Sequence, residues 1–343
     1  MIRTDGQPWT LEQLARVQAT LERRVAARDP QNIHAIGFGP IKRSRASDPA
    51  FAAHFLVHHK RQRVSKAKAI QPTESVRLRS RATGGFLRVE VITKVRESGS
   101  PVCTGVSVAS VSGQATTSAV VRWATLDPPP KLPRDEDPND PNWRWGVLTV
   151  SHLFVSDRSG GVGRVERVAT CGQGPEEVQG RVVARGRIPG GPDVALVETG
   201  LDRLWLSGFL PRPSRSQVPT ADEGDLLRWT QEGAQGEVLG DGTIGQWTFQ
   251  LLHPELKIDR LGTLKNVIRV ESGNAPDKGE EPFAPGTSGS VMTSSGRAAG
   301  LQVAAIRPDY RIGFVQAFET SLPWLRTKLK ATAFAVVQLV SEG

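Results

Sequence analysis

Cysteine is almost absent: only Cys103 and Cys171 occur in 343 residues, so the chain cannot hold the several disulfides that stabilise small secreted domains. Two free thiols are the simpler reading, and one bridge between them stays open. No stretch approaches the run of about 18 apolar residues that a membrane-spanning helix needs. The first residues, Met1 to Pro8, lack the apolar core of a signal peptide, so the expected location is cytoplasmic. Zinc-ligand spacings and helix-turn-helix patterns are also missing, which removes the usual motifs for reading nucleic acid.

What is present points to a folded, turn-rich protein. Hydrophobic residues make up 38% and charged residues 23%, with 35 Gly and 24 Pro; this balance favours many short strands joined by turns. The length suits one domain of roughly 200 to 250 residues with a smaller one beside it. The net charge of +9 comes partly from Lys60, Arg61, Arg63, Lys66 and Lys68, followed by Arg77, Arg79, Arg81 and Arg88. Such a run attracts anionic partners. It lacks the interleaved aromatics of a base-stacking platform, so a solvated surface is expected and specific nucleic-acid binding is not.

Thr10 and Gln13 form a capping-box pattern, and Leu14, Val17, Leu21 and Val25 recur on one helical face, ending near Asp29-Pro30. Strand-like runs follow at Ile33 to Phe38, Phe51 to His58 and Phe86 to Val95. The polar stretch Arg96 to Pro101 then marks a boundary, giving an α+β module over residues 1–98 and a β-rich domain over 99–343. Short strands occupy the second part. They are interrupted by a proline-rich loop from Asp127 to Asn142, and an apolar segment around Leu322, Trp324, Leu325 and Leu329 has helical spacing.

Three short motifs carry chemistry. Pro285-Gly286-Thr287-Ser288-Gly289-Ser290 sets a serine in a glycine-flanked turn, where Gly286 can adopt a backbone conformation that aims its N–H, with that of Ser288, at one point. An apolar strand ending in Leu148-Thr149-Val150-Ser151-His152 delivers a histidine, and Asp193 opens the strand Asp193-Val194-Ala195-Leu196-Val197. Taken singly, each has an ordinary structural explanation: a β-turn, a buried histidine, a strand-entry aspartate.

Together and in the order His, Asp, Ser, these segments resemble the motifs of the trypsin-like serine peptidase superfamily. The likeness runs through residues 99–343: Gly300-Leu301 resembles the strand bordering the substrate, Ile312-Gly313-Phe314 the strand closing the specificity pocket, and residues 320–331, with Trp324, the closing helix. It implies a mainly β fold, a chymotrypsin-like double six-stranded β-barrel behind a small α+β N-terminal domain. It implies Ser288 as nucleophile, His152 as base, Asp193 as its orienting carboxylate, and Gly286 and Ser288 as oxyanion donors. No metal or organic cofactor is implied, and the partner is a polypeptide substrate. The specificity pocket would lie at Pro282, Ala305 and Gly313; with no carboxylate there, a small or medium apolar side chain is expected rather than Lys or Arg.

The chain departs from the superfamily's pattern in three places. Thr287 replaces the aspartate that pairs with a newly cut N-terminus, Leu153 replaces a half-cystine, and Ser290 stands where glycine is common. Asn32 to Gly39 and Ala53 to Lys60 are similar to the start of bacterial trypsin-like proteins and of the plant narrow-leaf family, which implies an accessory module used for self-association as a homo-oligomer. The rival reading keeps the protease fold as a binding or scaffold protein with little turnover.

Overall fold

The computed structural model describes residues 8–41, 50–61, 64–79, 84–99, 101–103, 119–129, 140–154, 165–168, 178–206, 217–240, 243–273, 283 and 286–339. Strands predominate among them, so the protein is mainly β. Helix α1 (Leu11–Arg24) begins at the cap the sequence specifies: Gln13 N–H donates to Thr10 Oγ1, and Thr10 N–H donates to Gln13 Oε1. Its Leu14, Val17 and Leu21 are buried, as their spacing requires.

Strands β1 (Ile33–Ile41), β2 (Ala50–Val57), β3 (Thr73–Arg79) and β4 (Phe86–Glu97) follow. β1 and β2 pair antiparallel, β2 and β4 parallel, and β3 antiparallel to β4. β3 was not among the expected strands, because its arginines read as part of a charge run. In the fold Val76 and Leu78 point inward between exposed Arg77 and Arg79, which is the period-two signature of a half-buried strand.

After β5 (Val102–Cys103) the chain builds a second sheet. β6 (Ala119–Ala124), β7 (Arg144–Thr149), β8 (Val165–Val168), β9 (Val178–Arg185) and β10 (Ala195–Thr199) lie in the order β6-β7-β10-β9-β8. The short helix α2 (Leu201–Leu206) and helix α3 (Glu223–Glu232) then lead to β11 (Gln235–Gly240), β12 (Thr243–Ile258), β13 (Gly262–Ser272), β14 (Val291–Ser294), β15 (Arg297–Ala305) and β16 (Ile312–Ala317). Their pairings return on themselves, running β11-β14-β15-β16-β13-β12 and back from β12 to β11. Helix α4 (Phe318–Leu329) and β17 (Ala333–Leu339) carry the chain back to pair with β6 at the edge of the second sheet.

Apolar side chains from both halves share common cores. Leu148 and Leu196 of the second sheet pack in one cluster with Val291, Leu301 and Phe318. Val150 joins Val303 and Phe314 in another. Burial of this kind supplies most of the favourable free energy of folding, at about 25 cal/mol per Å² of apolar surface.

The N-terminal strands do not stand apart from this assembly. β12 gives one edge to β13 and divides the other, its first half pairing with β11 and Leu252 pairing with Phe38 of β1. Leu14, Val17 and Leu21 of α1 belong to the same core cluster as Trp247, Phe249, Leu252, Ile268 and Val270. Gln18 fastens the helix to β12, its amide nitrogen donating to Glu255 O and its Oε1 accepting from Glu255 N. The polar boundary at residues 96–101 is therefore crossed by continuous sheet and core.

The junction also buries histidines. A Cβ on Gly37 would lie 2.6 Å from His253 Cε1, so only glycine leaves room for that ring. His253 Nδ1 bonds to Ile36 O at 2.9 Å, while His54, paired with Gly37, lies on the same face. Burial, ahead of all other causes, lowers the His253 pKa to about 3 and that of His54 to about 4. An unfolded histidine titrates near 6.5, so between pH 6.5 and 4 the unfolded chain takes up protons that the folded chain refuses. Stability must fall as pH drops through that window, by about 2 kcal/mol per buried histidine at pH 5. Urea midpoints at pH 7.5 and pH 5 should differ accordingly; equal midpoints would mean that these rings are not held neutral.

Candidate active site

His152 lies in a 3-10 turn, Ser151–Phe154, immediately after β7. Val147 and Leu148 drive that strand into the core and leave its polar end at the edge. Asp193 precedes β10, the neighbour of β7, with Ala195 opposite Thr149. Adjacent antiparallel strands thus bring the end of one beside the start of the other. Ser151 Oγ donates to Gly186 O at 2.5 Å, and Gly186 N–H donates to Val194 O at 2.9 Å, which ties the turn to the aspartate's segment.

Both carboxylate oxygens of Asp193 are used on one residue. Oδ1 accepts from the His152 backbone N–H at 2.8 Å and Oδ2 lies 2.6 Å from His152 Nδ1. Asp193 is fully buried and His152 is 5% exposed, so the pair is shielded from screening by water and salt. A carboxylate accepts only, so a neutral imidazole in this bond carries its proton on Nδ1 and its lone pair on Nε2. This arrangement fixes both the ring's tautomer and its orientation.

Asp193 is anchored in turn from the other half of the molecule. Its N–H donates to Gln316 Oε1 at 2.7 Å, and Gln316 lies on β16 opposite Leu301 of β15. Sequence reading overlooked Gln316. Its signal was a single amide in the otherwise apolar run Ile312 to Ala317.

Ser288 lies in the turn before β14 and is fully buried. Gln302 of β15 brackets it, its carbonyl accepting from Gly289 N at 2.9 Å and its N–H donating to Ser290 O at 2.9 Å. Gly286 has φ +106, a conformation that side chains rarely adopt, which explains glycine at that position. The expected hairpin after the serine is present as β14 and β15, and its Val291 and Leu301 touch the cluster holding Leu148, Val194 and Leu196. The strands bearing His152, Asp193 and Ser288 thus share one core.

The pocket positions divide. Pro282 lies outside the described residues. Ala305 and Gly313 are opposite one another on β15 and β16 and both are buried. The space beside them holds an aromatic ring, because a Cβ on Gly313 would lie 3.0 Å from three atoms of Phe283. Cys171 is also outside the described residues, and nothing is described of the Cys103 side chain. No described helix is long and apolar enough to cross a membrane.

No protein-family model and no curated protein matches the chain. Among solved structures it is similar to Thermobifida fusca Protease A at 16% identity and a TM-score of 0.38, over 71% of this chain and 97% of that one. It is also similar to a Nocardiopsis protease at 16% identity and a TM-score of 0.34, over 69% and 97%. A glutamic acid specific serine protease is similar at 11% identity and a TM-score of 0.37, over the same two shares.

Proposed function

We propose that the chain is a serine endopeptidase with a chymotrypsin-like double-barrel core, in which Ser288, His152 and Asp193 form the catalytic triad. The observation that carries this reading is the double grip of Asp193 on His152, through Oδ1 to the backbone and Oδ2 to Nδ1. A structural histidine needs no buried carboxylate committed to both groups, whereas a general base must be held in one tautomer with Nε2 presented.

In the proposed reaction Ser288 Oγ attacks the peptide carbonyl while His152 Nε2 takes the hydroxyl proton. The imidazolium is stabilised by Asp193 and returns that proton to the leaving amine, leaving an acyl group on Ser288. Water, deprotonated by the same ring, then releases the acid and restores the serine. The N–H groups of Gly286 and Ser288 are the donors assigned to the developing oxyanion. A polypeptide is the substrate, and the Phe283 ring against Gly313 supports a small apolar side chain at the cleavage position.

Phe283 also favours a second reading, a protease-fold binding protein with little turnover, since the ring fills space that a substrate side chain would enter. A fluorophosphonate probe separates the two. An activated serine should label within minutes at micromolar probe, and Ser288→Ala should abolish the label. Labelling unchanged in Ser288→Ala would eliminate the mechanism, and a folded parent that stays unlabelled would leave the binding-protein reading.

A further inference from the structure

Arg269 stands on β13, opposite Leu251 of β12 and Phe314 of β16. Its register neighbours place it on the sheet face that carries His253 and Val267, beside the junction with the N-terminal strands. The side chain is 1% exposed, and among the described residues neither Nε nor Nη1 has a hydrogen-bond partner. The same holds for Nε2 of His253 and of His54. A buried guanidinium without a counter-charge costs several kcal/mol, so a fold that retains one has a use for it.

Three imidazoles surround this cation closely enough that its charge depresses their basicity: His34, His54 and His253 all feel Arg269. His34 bonds to Ser98 O at 3.0 Å and stacks on His58. The remaining charged groups facing the cluster are Arg96 and Glu271. Arg96 Nη1 donates to Gln250 Oε1 at 2.9 Å, and Arg96 Nη2 is 3.7 Å from Glu271, both side chains being about one-third exposed. They form a rim that connects the buried groups to solvent, and Arg96 draws Glu271 outward rather than onto Arg269.

Donors without acceptors, gathered around a fixed positive charge, suit an anion. A metal ion does not fit, because Arg269 would repel it. The planar fork of a guanidinium matches two oxygens of one carboxylate or phosphate, and each imidazole can add an N–H. We propose that Arg269, His253 and His54, with His34 at the margin, form a binding site for a small oxyanion of the carboxylate or phosphate type. The bound anion would bridge the N-terminal strands and the β12-β13 pair, locking the junction. This site is separate from Ser288 and does not depend on the proposed catalysis.

The test measures the melting temperature of the full chain against inorganic phosphate and, in a second arm, against acetate, with chloride at matched ionic strength as reference. A saturable rise above the chloride curve is expected in at least one arm, and the responding arm identifies the phosphate or carboxylate chemistry. Arg269→Gln should abolish it. His253→Asn, which keeps the Arg269 charge and serves if the first variant fails to fold, should weaken the apparent Kd about tenfold. Phosphate and acetate curves that match chloride would overturn the proposal. So would a rise undiminished in Arg269→Gln, or in His253→Asn where only that variant folds, since binding would then lie on the exposed basic surface.

Discussion

Asp193→Asn should lower turnover of a peptide substrate by about 10⁴ while the protein melts close to its parent. The asparagine carbonyl can keep the bond from the His152 backbone N–H, so the turn stays in place. Its amide nitrogen then faces Nδ1, a donor opposite a donor, and the ring responds by moving its proton to Nε2. The lone pair that must take the Ser288 proton is gone, although no core volume has been lost. Ser288→Ala and His152→Ala should each cost several orders of magnitude, and their combination little more, because the residues act as one unit. Near-parental turnover in the Asp193 variant would remove it from the assignment.

The second large effect concerns the N-terminal 98 residues. Their removal should leave a chain that no longer unfolds cooperatively. Leu14, Val17 and Leu21 alone remove three fully buried side chains from the cluster with Phe249, Leu252 and Ile268, at about 1.5 to 3 kcal/mol each. The edge of β12 that pairs with Phe38 is opened, and so is the apolar face that α1 covers. These losses reach the scale of a whole domain's stability, about 5 to 15 kcal/mol. Circular dichroism melts of residues 99–343 beside the full chain measure it. A sharp transition near the parent temperature would instead establish a self-sufficient unit beginning near Pro101.

Local signals were legible wherever the residues that form a feature are near each other in the chain. The Thr10–Gln13 cap fixed the start of α1, the glycine-rich turn and the following apolar runs gave the β14–β15 hairpin, and helix α4 showed its spacing around Trp324. Strand ends delivering His152 and Asp193 were readable for the same reason. Features set by distant partners were not. β3 was hidden by outward arginines, and α3 and β17 were not anticipated. Gln316 acquired its role only when β16 was laid beside the Asp193 segment. Arg269 and His253 read as ordinary polar positions in strands, because nothing local says that a sheet made some two hundred residues earlier will cover them.

That separation also has a cost during synthesis. Ile36 and His253 are bonded across 217 positions of sequence, so β1 leaves the ribosome long before β12 exists to occupy its free edge. At about 5 to 20 residues per second the wait is roughly 10 to 40 s. For that interval β1 offers unpaired N–H and C=O groups beside Phe38 and Ile36, which is the kind of edge that pairs with another chain. The nascent protein is therefore most exposed to self-association, or to a chaperone, between the emergence of Ile41 and that of Leu252.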